Sequence, residues 1–111
     1  MVRHIRDHTG QTQMDLQDFQ QLIDKMYSHK DRQRGSEGTF LWLMEEMGEL
    51  AAAIAEGKSQ ADKGEEFADV MAWLVTLANV ENIDLSEALH AKYGQGCPGC
   101  GKMVCLCEEK P

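Results

Sequence analysis

Apolar residues return every three or four positions along most of this chain, and nowhere do they alternate in the period-two rhythm of a strand. From Asp15 to about Gln33 the set Leu16, Phe19, Leu22, Ile23 and Met26 marks one amphipathic helix. GSEG at 35–38 breaks it. A second helix is expected from about Thr39 to Glu56, ended by Gly57, a residue that suits the position just past a helix end. KSQADKG reads as a polar connection or a frayed helix start, and a third helix follows over roughly 62–81. Asp84 opens a short fourth helix, with Glu87 three positions on completing a capping-box pattern in DLSE, and it runs out near Tyr93 and Gly94. Short connections set consecutive helices antiparallel. The expected fold is all-α, an antiparallel bundle of about four helices per chain.

With 111 residues the chain is one domain, and so small a domain buries a limited core. Oligomerisation is expected to complete the bundle, as a homodimer or homotetramer. Residues 1–13 show little periodicity and read as a flexible N-terminal extension, residues 14–94 as the helical body, and residues 95–111 as a cysteine-rich tail. Nineteen acidic against 11 basic residues give a net charge of −8, which argues against nucleic acid as a partner. It does not argue against a small phosphorylated ligand met through cations. No apolar run is long enough to span a bilayer and no signal segment opens the chain, so neither a membrane partner nor export is expected; the expectation is a cytoplasmic protein.

The second helix contains a contradiction. Phe40, Leu43, Met44, Met47, Leu50, Ala51 and Ile54 make one apolar stripe, expected to feed the core, yet Glu45, Glu46 and Glu49 sit in the same stretch. Glu46 and Glu49 lie off the stripe, one turn apart, with Trp42 between them in angle. The third helix repeats the pattern: Phe67, Val70, Met71, Leu74 and Leu77 form its stripe, while Glu66 and Asp69 share another face with Trp73. Like charges at i and i+3 repel. If antiparallel helices bring Glu46 and Glu49 against Glu66 and Asp69, four carboxylates converge, and a hard divalent cation makes that favourable; magnesium is the one expected. Both tryptophans then fall at the same end of the acidic cluster, where they could stack a base.

Glu45-Glu46-Met47-Gly48-Glu49, followed after sixteen residues by Glu66-Phe67-Ala68-Asp69, resembles the EExxE…ExxD signature of the MazG-like all-α nucleoside triphosphate pyrophosphohydrolases. ANVENIDLSEALHAKY, with Asn79 and Lys92, resembles the stretch that follows in many members, so the likeness covers about residues 15–93. It implies a magnesium-dependent enzyme, working as a dimer or tetramer, that cleaves a nucleoside triphosphate into a monophosphate and pyrophosphate. By that resemblance Glu46, Glu49, Glu66 and Asp69 are magnesium ligands, and Glu45 is an outer-shell group or the base that deprotonates water. Lys92 and Tyr93 match the region that contributes a phosphate-binding lysine, with the cluster Lys30-Asp31-Arg32-Gln33-Arg34 as a second candidate and Asn79 as a further substrate contact.

The tail GCPGCGKMVCLCEEKP departs from that family pattern. All four cysteines of the chain fall within it, spaced Cys-x2-Cys-x4-Cys-x-Cys, and CPGCG resembles a zinc knuckle. Cys97, Cys100, Cys105 and Cys107 are expected to hold a structural zinc ion, although ordinary zinc ribbons separate their pairs by about 15–20 residues. Closure within one chain or between chains, free redox-active thiols and an iron–sulfur cluster all stay open. Two rival readings of the whole stand beside the main one: a phosphoribosyl-ATP pyrophosphohydrolase-like enzyme, and a non-enzymatic helical module that binds a basic partner and senses metal.

Overall fold

The computed structural model describes residues 4–6 and 12–110. Two short strands, β1 (His4–Arg6) and β2 (Thr12–Met14), pair antiparallel, with His4 opposite Met14 and Arg6 opposite Thr12. Three helices follow: α1 (Leu16–Ala55), α2 (Gln60–Val80) and α3 (Leu85–Tyr93). The hairpin departs from the strandless reading of the sequence, since three residues per strand are too few to display a period. The rest of the expected flexible extension, residues 1–3 and 7–11, lies outside the described residues.

The expected helices on either side of GSEG are one helix, because the break is a single residue wide. Gly35 stands at φ 80° and ψ 178°, a conformation open almost only to glycine. Helical turns resume immediately, so α1 has two arms, 16–34 and 36–55. Thr39, fully buried, locks the bend: its Oγ1 donates to the Gly35 carbonyl at 2.7 Å and accepts from Arg34 Nη1 at 3.3 Å. Across the bend Ser36 bonds to Glu81 at the end of α2.

Side-chain caps set the helix starts. Asp15 accepts from the Asp18 amide at 2.8 Å, Ser59 from Asp62 at 3.1 Å and Asp84 from Glu87 at 3.0 Å. The Ser59 cap brings the start of α2 forward to Gln60, two residues before the expected boundary. Gly57, at φ 64°, closes α1 as its position predicts. Gln20 ties the first arm to the junction of α2 and α3. Its amide donates to Asn79 Oδ1 and to the Ile83 carbonyl, and its oxygen accepts from the Leu85 amide at 2.9 Å.

The second arm of α1 and α2 run antiparallel, and the faces they share are not the expected ones. Thr39, Leu43 and Ala53 are buried in the seam, with Glu46 and Leu50 half-buried between them. That is the alternating three- and four-residue spacing of a heptad seam. Most of the apolar stripe expected to feed the core lies outside: Phe40, Met44, Met47 and Ile54 are exposed, and so are Phe67, Met71 and Leu74 of α2. Pattern alone could not show this, because a helix with two usable faces does not say which one its neighbour takes. Buried apolar side chains are few among the described residues: Ile23, Leu43, Ala53, Val75 and Ala78.

Candidate active site

The seam places the acids of the two helices face to face. Each step up the second arm of α1 is matched by a step down α2, so Trp42 meets Trp73 and Glu46 meets Asp69. Carboxylate oxygens of Glu46, Glu66 and Asp69 all lie within 4.8 Å of one another. Glu49 faces Glu66 one turn further along and shares with it a groove of about 250 Å³, walled also by Asp62, Glu65 and Lys58. Glu45 is exposed beside Glu46.

Such an arrangement strains the charged forms. Desolvation pushes the Glu46 carboxyl above its usual 4.5, and the charges of Asp69, Glu66, Glu49 and Glu45 push it further. Glu66 is raised in the same way, by desolvation and then by Glu49 and Asp69. The ion pairs among the described residues, Arg32–Asp24 and Arg34–Asp31, are elsewhere. Three oxygen donors so close together could hold a metal ion, and their chemistry suits a hard cation.

At the other end of the cluster Trp42 and Trp73 stack with centroids 5.8 Å apart and planes 15° from parallel. The Arg34 guanidinium lies 4.8 Å from the Trp73 ring centroid and donates to Asp31 Oδ1 at 3.1 Å. Sequence reading placed Asp31 only within a basic cluster. The signal that could have singled it out is its i, i+3 spacing to Arg34.

The structure brings Asn79, Lys92 and Tyr93 to other places. Asn79 lies ten residues beyond Asp69 on α2, about 15 Å along the axis. Its amide group is engaged with Gln20, and its carbonyl accepts from Arg32 at 3.3 Å. Lys92 sits over the Tyr93 ring at 5.6 Å, and Tyr93 faces the cysteine tail. Neither lines the carboxylate groove.

In the tail the short link does not prevent closure: the four sulfurs of Cys97, Cys100, Cys105 and Cys107 lie within 4.8 Å of one another in one chain. Cys97 Sγ is 3.5 Å from Cys105 and 3.9 Å from Cys107, so the thiols are free. Gly96 (φ 103°) and Gly101 (φ 76°) make the turn, with the Cys97 amide donating to the Lys102 carbonyl at 2.9 Å. Amides point at sulfur. The Leu106 amide, with that of Lys102, draws the Cys100 thiol down to about 6, and amides of Cys100 and Gly99 lower Cys97. Hydrogen bonds to Cys105 and Cys100 push Cys107 up to about 11.

The family model of the MazG nucleotide pyrophosphohydrolase domain matches residues 34–100, from the bend of α1 into the cysteine tail. The chain belongs to the MazG family. No curated protein matches it. The MazG match takes in both acidic pairs, both tryptophans and the first two cysteines, while the first arm of α1 up to Gln33 and the last two cysteines fall outside it. No helix among the described residues is long and apolar enough to cross a membrane.

Proposed function

We propose that this chain is a magnesium-dependent nucleotide pyrophosphohydrolase that converts a nucleoside or deoxynucleoside triphosphate to the monophosphate and pyrophosphate. One observation carries the reading: two helices bring Glu46, Glu66 and Asp69 within 4.8 Å, with raised proton affinity at Glu46 and Glu66. That donor set fits magnesium, which takes a few carboxylate oxygens and fills its remaining positions with water and phosphate. When bound, the ion supplies neutralisation of the phosphate oxygens and a more acidic water.

Glu46, Glu66 and Asp69 hold the cation, and Glu49 completes the set from one turn along α1. Glu45, exposed beside Glu46, serves as the base that takes the proton of the water attacking the α-phosphorus. The bond to the bridging oxygen breaks and pyrophosphate leaves. Trp42, stacked on Trp73 and still exposed, offers an apolar surface to the part of the nucleoside nearest the acids. The exposed stripe of Phe40, Met44, Met47, Ile54 and Phe67 is the face a second copy covers, giving a homodimer or homotetramer. Zinc fits the tail, since a tetrahedral site with Zn–S of about 2.3 Å sets sulfurs about 3.8 Å apart. Its four sulfur donors leave no open position, so its role is structural.

The test is pyrophosphate release across the common nucleoside and deoxynucleoside triphosphates, with and without magnesium. Glu49→Gln and Asp69→Asn should each lower turnover by about 10²-fold or more while circular dichroism stays unchanged. Near-normal turnover of either variant at saturating magnesium would show that the site has been drawn wrongly.

A further inference from the structure

A cavity of about 360 Å³ opens between the first arm of α1 and α2, walled by Tyr27, Asp31, Arg34, Ala72, Trp73 and Thr76. Ligand pockets begin at about this size. Asp31 is 4% exposed, and while its Oδ1 accepts from Arg34, its Oδ2 is buried with no hydrogen-bond partner. A buried carboxylate oxygen left without a donor is costly, and such a group in a native protein calls for a donor from outside the chain or a functional role. The Arg34 guanidinium, lying over the Trp73 ring at 4.8 Å, gives the cavity a planar cationic group beside that oxygen. Thr76, on the cavity wall, lies seven residues from Asp69, about 10 Å along α2. That is a distance the sugar of a nucleotide can bridge.

We propose that this cavity receives the nucleobase and that Asp31 selects bases carrying an exocyclic amino group. The inference rests on the nucleotide-hydrolase reading and goes beyond it in naming the class of base and the residue that chooses it. A carboxylate oxygen accepts from an amino group, as it does from the cytosine amine, and repels the carbonyl that replaces the amine in uracil or hypoxanthine. Trp42 and Arg34 already cover the Trp73 ring, so the planar base lies against the Arg34 guanidinium, and its amino group satisfies Oδ2 without displacing Arg34 from Oδ1.

The experiment follows tryptophan fluorescence while dCMP and dUMP, then AMP and IMP, are titrated into the full chain without added metal. The amino member of each pair should bind about tenfold more tightly. Asp31→Asn should remove or invert that preference, because the amide can keep its oxygen on Arg34 and present N–H where Oδ2 stood. Ala72→Leu, which fills the cavity, should weaken all four nucleotides and spare inorganic triphosphate titrated with magnesium, so a poorly folded Asp31 variant leaves the idea open to refutation. Equal binding of both members by the native chain overturns the proposal. So does an Asp31→Asn effect that is the same for both members or that follows ribose against deoxyribose, and so does undiminished nucleotide binding by Ala72→Leu. Pyrophosphate release without base discrimination removes this pocket alone, whereas discrimination without pyrophosphate release removes the hydrolase reading alone.

Discussion

At the scale of single residues, the acids of the seam are held in a form they resist. Glu46 and Glu66 have proton affinities raised above 4.5, chiefly by desolvation, so the folded chain binds protons more tightly than the unfolded one there. Stability without divalent cation should therefore fall as pH rises from about 4.5 through the raised values, and magnesium should flatten that slope. Thermal melts between pH 4.5 and 8 with and without magnesium check this; a metal-free protein that gains stability across that range contradicts it. Glu46→Gln should raise the metal-free melting temperature at pH 8 while abolishing the magnesium effect. Trp42 carries a separate expectation. Its replacement by alanine should cost about 1–3 kcal/mol of nucleotide binding and leave inorganic triphosphate affinity intact, read by paired titrations. Equal losses for the two ligands would make the ring a packing element of the seam.

At the scale of elements, the bend at Gly35 sets how the two arms of α1 meet α2. Beyond its chain neighbours and its own helix backbone, no atom of the described residues lies within 4 Å of where a Cβ would stand, so the cost of Gly35→Ala is conformational. It should lose about 1–3 kcal/mol of stability in urea unfolding, and an unchanged midpoint would show that the bend relaxes freely. Much of this level could be read from the sequence. The i, i+3 acids and their tryptophans on consecutive helices put both tryptophans at one end of the cluster and Glu46 and Glu49 against Glu66 and Asp69, because an antiparallel hairpin leaves little choice of register once both pairs are in view. That the two rings stack on each other was not legible. The cap at Asp84 and the stop at Gly57 were legible too, each being local chemistry. What stayed hidden depends on which faces meet. The apolar stripe of Phe40, Met44 and Met47 has a better hydrophobic pattern than the seam α2 occupies. Asp31 is buried beside a cavity it shares with residues of α2 forty and more positions away, among them Trp73. The hairpin of β1 and β2 is too short for any pattern.

At the scale of the whole molecule, the helical body buries little apolar surface and leaves much exposed, while the tail adds four thiols and almost no core. Met103, Val104 and Leu106 are all more than 70% exposed, so packing does not hold the tail together. Zinc coordination is then expected to carry its order. Elemental analysis should find about one zinc per chain, and a strong chelator should lower the melting temperature while turnover at low temperature survives once magnesium is restored. Protein purified without chelator and found free of zinc would remove this role. The matched ascent and descent of the acidic helices also restricts how chain length can vary. One residue inserted between Trp42 and Glu46 would rotate everything beyond it by about 100° and carry the acids out of the groove. A full heptad would keep the angle to within about 20° but slide the cluster some 10 Å from the tryptophans. The turn from Gly57 to Ser59 lies outside both rulers, and lengthening it costs little beyond loop closure. Random insertions scored for activity should therefore survive at that turn and vanish on either side of it, mapping the two helices as a vernier whose only free joint is the turn.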